Sequence, residues 1–97
     1  MNSANEIIKT VRARRGLSQE QMATTLGVSI NYISLIENSK KKPGMKFLEE
    51  VAAKYDVPLV LLAKDILVPE GKSKKERAVR EKVMVLIDDL EKIFLRA

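Results

Sequence analysis

The chain contains no cysteine and no histidine among its 97 residues. Without thiols there is no disulfide and no thiolate metal ligand. Without imidazole, the usual general base, the usual metal ligand and the usual pH switch are missing together. Long apolar runs are absent too. The longest, Val57 to Ala63, is far short of the roughly 20 residues of a membrane span. The first residues, MNSANEII, lack the basic-then-apolar pattern of a signal peptide, so a soluble cytoplasmic protein is expected. There is no glycine-rich phosphate loop and no nucleophile paired with a base. Glu49/Glu50 and Asp88/Asp89 are sequence neighbours, so their side chains diverge on a helix. An enzyme is therefore not expected, nor a metal site or cofactor, and this length leaves no room for a small-molecule effector domain. Charge of one sign is only mildly in excess: 18 Lys and Arg against 13 Asp and Glu give +5. That makes nucleic acid a candidate partner without selecting it.

What is present is helix-forming sequence cut into short blocks by Gly16, Gly27, Pro43-Gly44, Pro58 and Pro69-Glu70-Gly71. Apolar residues in each block recur at helical spacing. Ser3-Ala-Asn-Glu6 and Ser18-Gln-Glu-Gln21 are capping boxes that open the first two helices. Ile7, Ile8 and Val11 line the first, and Met22, Ala23 and Leu26 the second. Ser29 caps a third helix that buries Ile33 and Ile36. Phe47, Leu48, Val51, Ala52 and Tyr55 mark a fourth. A short fifth, from Pro58 to about Lys64, has proline in its first turn. Ser73-Lys-Lys-Glu76 caps a final helix of about 24 residues, roughly 36 Å long. The expectation is an all-α chain: a five-helix domain over residues 5–66, a hinge at 67–72, and a long C-terminal helix over 73–97.

Residues 18–37 read SQEQMATTLGVSINYISLIE. Two short helices meet at Leu26-Gly27-Val28-Ser29, where Gly27 tolerates the positive φ of a sharp turn and Ser29 caps the next helix. Two such helices at a wide angle form the unit whose second member lies in the DNA major groove. Here the sequence resembles the Cro-like, XRE-type helix-turn-helix family of phage repressors and bacterial regulators. The residues that carry the resemblance are Leu17-Ser-Gln-Glu-Gln-Met-Ala, Leu26-Gly-Val-Ser, Tyr32-Ile-Ser, Ile36-Glu-Asn, Pro43, Phe47-Leu and Leu61-Leu62. It spans about residues 6–63 and does not reach residues 70–97. It implies a five-helix repressor-like fold and sequence-specific binding of double-stranded DNA.

The third helix, residues 29–38, can be read on its own. Ile33 and Ile36 define its buried face. Asn31, Ser34, Leu35 and Asn38 point away from it, with Ile30 and Glu37 on the flanks. Asn can bond adenine N6 and N7 together, worth about 1–3 kcal/mol of discrimination. Asn31 also lies in the first turn, the part of such a helix that reaches base edges. The expected base readers are Asn31, Ile30, Ser34 and Leu35, with Ile30 and Leu35 suited to thymine methyls. Leu35 departs from the family, which usually has a polar or basic residue there. It is equally a thymine contact, part of a protein-binding patch, or an ordinary exposed leucine.

Phosphate contacts need cations, amides and helix N-termini. The candidates are Gln19, Ser29, Asn38 and the cations Lys40, Lys41, Lys42 and Lys46, which follow the third helix with no acid among them. A solvated loop is the alternative for the lysine run. Arg14 and Arg15 suit the C-terminal dipole of the first helix as well as they suit phosphate. The resemblance implies that Gln19 bonds the DNA backbone and orients a neighbouring reader. It also implies an ion pair between Arg12 and Glu37, locking the third helix onto the first.

In the C-terminal helix Val79, Val83, Leu86, Leu90, Ile93 and Ala97 follow heptad spacing, and Ile87 and Phe94 widen the seam. So much apolar surface must pack on something. Homodimerisation through Val79, Val83, Leu86, Ile87, Leu90, Ile93 and Phe94 is expected. The alternative is a sixth helix folded back on its own domain, and the width of the face permits both. Between Lys72 and Lys82 six cations face two acids. No folding reason accounts for cations at this helix N-terminus; a solvated face is the favoured reading, and a second phosphate or acidic-partner contact is the alternative. The favoured function is a homodimeric transcriptional regulator, a repressor, on a pseudo-palindrome. The alternative is an antitoxin-like or anti-repressor-like interaction module whose C-terminal helix binds another protein.

Overall fold

In a computed structural model, which describes residues 2–96, six helices follow one another: α1 (Ala4–Arg14), α2 (Gln19–Leu26), α3 (Ile30–Glu37), α4 (Met45–Tyr55), α5 (Leu59–Leu67) and α6 (Lys74–Arg96). No strand occurs among the described residues. The helix starts follow local chemistry. Ser3 with Glu6 and Ser18 with Gln21 close reciprocal capping boxes, each satisfying two backbone donors that a helix start otherwise leaves open. Gly27 ends α2 in the left-handed region, at φ 68°, and the Ser29 hydroxyl accepts from the Tyr32 amide at 3.0 Å to begin α3.

The buried faces of the first five helices converge on one core. Ile7, Ile8 and Val11 of α1 meet Met22, Ala23 and Leu26 of α2 and Ile33 and Ile36 of α3; Phe47, Leu48, Val51 and Tyr55 of α4 and Leu61 to Ala63 of α5 complete it. Burial of this kind, not helix propensity, is what holds helices of eight to eleven residues. Helix α5 runs three residues past the Lys64 end expected from sequence. It bends at Ala63, whose φ is −118°, and continues because no Gly or Pro intervenes before Pro69. Pro58 sits one position outside this helix, as its N-cap.

Helix α6 folds back on α5, and Ile87 joins the common core. The segment between them is held tightly. Gly71 has φ +86°, and a Cβ there would lie 2.9 Å from the Arg77 amide. The Lys72 amide donates to Glu76 Oε2 at 2.7 Å, and the Ser73 hydroxyl accepts from the Glu76 amide at 3.1 Å.

Two seams run along α6, about 100° apart around its axis, because each outermost residue of the outward seam is followed directly by one of the body-facing seam. Arg80, Met84, Ile87, Glu91 and Phe94 face the body and are half-buried or buried. Val79, Leu86 and Ile93 face outward at 56%, 67% and 65% exposure. Two residues expected at a dimer interface are thereby reassigned. Ile87 is 5% exposed and Phe94 packs on the core, because both belong to the body-facing seam. Val83 and Leu90 lie between the two. Ala97, the last position of the expected seam, falls outside the described residues.

The body-facing seam contains a buried ion pair. Lys64 Nζ of α5 lies 3.3 Å from Glu91 Oε1, with side chains 6% and 4% exposed. The ammonium also donates to the carbonyls of Asn2 and Leu61, and both Glu91 oxygens accept from the Asn2 amide, at 3.2 and 3.1 Å. No helix among the described residues is long and apolar enough to cross a membrane.

Candidate nucleic-acid interface

Three kinds of contact fix α3 before any ligand arrives. Its inner face is the core pair Ile33 and Ile36, both fully buried. Its C-terminal residue, Glu37, takes a two-pronged bond from Arg12 of α1: Nε to Oε2 at 2.6 Å and Nη2 to Oε1 at 2.9 Å. The planar guanidinium fork matches a carboxylate in this way and fixes both position and orientation. Arg12 also donates to the Leu17 carbonyl at 2.7 Å, which ties in the start of the α1–α2 turn. Gln19 Nε2 donates to Glu37 Oε1 at 3.2 Å. Burial works against the Glu37 carboxylate, but the bonds from Arg12 and Gln19 outweigh it and hold its pKa below the usual carboxylate value. The bond to Glu37 raises the Arg12 pKa in turn.

A third contact went unread in the sequence. Asn5 Nδ2 donates to the Ile36 carbonyl at 2.7 Å and to the Lys41 carbonyl at 3.0 Å. One amide in the first turn of α1 thus caps the end of α3 and holds the lysine loop beside it. A polar residue in a first helical turn has many ordinary uses, so its identity alone carries no signal for this one.

On the outer side of α3, Asn31 is exposed and Ile30 is 48% exposed. These adjacent residues form the open part of the first turn. Ser34 is half-buried, and its hydroxyl accepts from Asn38 Nδ2 at 3.3 Å. The expected base reader Ser34 and the expected phosphate contact Asn38 are therefore joined. Leu35 is half-buried, more enclosed than its place opposite the core face led us to expect. The loop after α3 doubles back here, with the amides of Lys40 and Lys41 donating to the Leu35 carbonyl at 2.8 and 3.2 Å. Ser39, at φ 56°, makes that reversal.

Lys40, Lys41, Lys42 and Lys46 are all exposed. Lys41 Nζ stands 5.6 Å over the Tyr32 ring, which meets Phe47 edge-on at 5.1 Å. Lys46 lines the groove between the turn and α4 together with Gly27, Val28 and Tyr32. The four cations thus lie near α3 and its turn, Lys40, Lys41 and Lys42 on a loop tied by its own backbone bonds and Lys46 in the first turn of α4. Ser29 is exposed at the N-cap, its hydroxyl accepting from the Tyr32 amide. Gln19 is half-buried and turned toward Glu37. Arg15 reaches the other way, donating to the Tyr55 carbonyl at the end of α4 at 2.6 Å and lying over the Tyr55 ring. Among the described residues, no group of acidic side chains is placed to hold a metal ion.

A helix-turn-helix family model matches residues 8–62, more than half of the chain. The chain belongs to the helix-turn-helix family. The match to this family begins inside α1 and ends inside α5, so it takes in all of α2, the turn and α3 and leaves α6 out. An immunity repressor protein of Bacillus phage phi105 is 29% identical over 90 residues, covering 88% of this chain and 62% of the relative. The chain spans about three fifths of that relative's length, and a match of this extent reaches into α6. No solved structure gives a significant match.

Proposed function

We propose that this protein is a sequence-specific, double-stranded DNA-binding transcriptional regulator. It works as a homodimer, of the repressor kind, in the cytoplasm. The observation that carries the reading is the α2–turn–α3 unit itself. It presents Ile30 and Asn31 outward from a helix whose other side is fixed by the core, by the Arg12–Glu37 pair and by Asn5. Such a helix enters the major groove with its first turn at the base edges. Asn31 is the principal reader, and Ile30 meets a thymine methyl. Lys40, Lys41, Lys42 and Lys46 neutralise phosphates, so affinity falls by about 0.9 log unit per log unit of salt for each phosphate engaged. The printed name of the phage relative, an immunity repressor protein, supports the repressor sense. Residues 5–66 are the reading part and residues 73–97 the pairing element.

Selection of binding sites from random DNA tests this. Half-sites containing A·T pairs, about 34 Å apart, are the expected outcome. Asn31→Ala shifts the preference at one position without changing stability. An enriched half-site made wholly of G·C pairs, or no enrichment, overturns the reading. The open seam of α6 also favours an interaction module that binds another protein. Sedimentation of the full chain separates the two: a monomer at concentrations that saturate DNA supports the module.

A further inference from the structure

We propose that the outward seam of α6 is the docking surface for α6 of a second copy of this chain, packed antiparallel with Leu86 on the two-fold axis. This rests on the dimeric reading above and adds the orientation and register of the pair.

The seam that faces the body is occupied, by α5 and by the Lys64–Glu91 pair. The outermost line of the other seam is Val79, Leu86 and Ile93, seven residues apart and 56%, 67% and 65% exposed. This line is symmetric about Leu86. A two-fold axis through Leu86 lays Val79 of one copy against Ile93 of the other, about 10 Å along the helix from the axis on each side.

Charge decides the direction. Lys72 to Lys82 holds six cations and two acids, whereas residues 88–96 hold three acids, Asp88, Asp89 and Glu91, against two cations, Lys92 and Arg96. A parallel pair sets the two cationic halves side by side. It also turns Lys82 of each copy toward Ile87 of the other, five residues further along, which is already buried in its own body. An antiparallel pair about Leu86 brings the exposed Lys82 of each copy opposite the exposed Asp89 of the other. Two symmetric ion pairs then flank the apolar line on its open side. Flanking charges of this kind choose partner orientation in paired helices more than they add affinity.

The absence of native cysteine makes the test direct. Val79→Cys, Leu86→Cys and Ile93→Cys are introduced singly into the full chain, at exposed positions whose replacement leaves the core alone. Under mild oxidation Leu86→Cys is expected to cross-link to itself. Val79→Cys and Ile93→Cys are each expected to stay uncross-linked alone and to join when mixed. Self-linking of Val79→Cys as efficient as its linking to Ile93→Cys overturns the antiparallel orientation and leaves the dimer standing. A wild-type chain that sediments as a monomer at DNA-saturating concentration overturns the dimer and this proposal with it. Lys82→Glu is expected to weaken self-association roughly fivefold, and Lys82→Glu with Asp89→Lys to restore it. Failure of the double exchange to restore association overturns the proposed register.

Discussion

Glu37 and Glu91 are two buried carboxylates, each answering a cation from a helix far away in sequence, and they are held differently. Glu37 receives the two-pronged Arg12 fork at 2.6 and 2.9 Å and the Gln19 amide at 3.2 Å. Glu91 receives one ammonium at 3.3 Å, shared with two carbonyls, and a backbone amide. A planar fork dictates how a helix end is turned, whereas a shared point charge fastens two helices with less say about orientation. The difference suits what each pair holds. Glu37 ends the reading helix, whose angle to DNA matters, and Glu91 fastens α6 to the body. Depth differs as well. The Arg12 side chain is 18% exposed, but Lys64 is 6% exposed.

The deeper pair sets the largest expected effect. Glu91→Ala leaves the buried Lys64 ammonium with two carbonyls and no counter-charge and is expected to cost about 3 kcal/mol, read by chemical denaturation. Lys64→Met with Glu91→Leu removes both charges and is expected to recover stability to within about 1 kcal/mol of wild type. A loss below about 1 kcal/mol for Glu91→Ala shows that the carbonyls of Asn2 and Leu61 satisfy Lys64 unaided, and the two pairs then differ in kind. Simple removal of α6 does not isolate pairing from folding, since it takes Ile87 and Glu91 out of the body together.

Glu37→Ala is expected to cost less, about 2 kcal/mol, because Arg12 keeps the Leu17 carbonyl and reaches solvent. Its effect on DNA affinity is expected to exceed that of any α1 surface substitution, since the end of α3 loses its orientation. Equal costs for Glu37→Ala and Glu91→Ala mean that depth of burial does not rank these pairs.

Acid reads the hold of the Arg12 fork on Glu37 more finely. Glu37 has a lowered folded-state pKa, so the stability it contributes is present above its unfolded pKa and is lost as pH falls through the lower folded value. A denaturation series from neutral pH to below the usual carboxylate range is expected to fall less steeply for Glu37→Gln than for wild type. An identical acid slope in the two proteins means that the Arg12 fork exerts no net pull on this carboxylate.

What was legible in the sequence was mostly local. Ser3 with Glu6, Ser18 with Gln21, and Gly27 each announce a backbone need met within four residues, and the all-α architecture follows from them together with the apolar spacing. The body-facing seam of α6 was not legible as a seam. Arg80 and Glu91 interrupt its apolar run, so the neighbouring all-apolar line drew the reading. A glutamate four residues after Ile87 and three before Phe94 lies on a buried stripe, and that placement was the available signal. Asn5 gave none, because its acceptors are carbonyls of residues 36 and 41. Leu35 is half-buried where the loop reverses at Ser39, and serine rarely signals a positive φ.

The smallest effects test the lysine loop, where two adjacent cations share one ordered backbone and differ in surroundings. Lys41 stands over the Tyr32 ring, whereas Lys42 has no polar or ring partner among the described residues. If both neutralise phosphate, Lys41→Ala and Lys42→Ala each flatten the salt dependence of DNA affinity by about 0.9 in log–log slope for each protomer bound. Lys41→Ala is also expected to lose about 0.5 kcal/mol of stability with its ring contact, and Lys42→Ala none. An unchanged slope for Lys41→Ala alone assigns its charge to the ring. Unchanged slopes for both place Lys41 and Lys42 off the phosphates and leave Lys40 and Lys46 as the candidates for the salt dependence. The Asn5 bond to the Lys41 carbonyl makes the same distinction from the backbone side. Asn5→Ala frees the loop without removing a charge, so it is expected to weaken DNA binding at every salt concentration while leaving the slope intact.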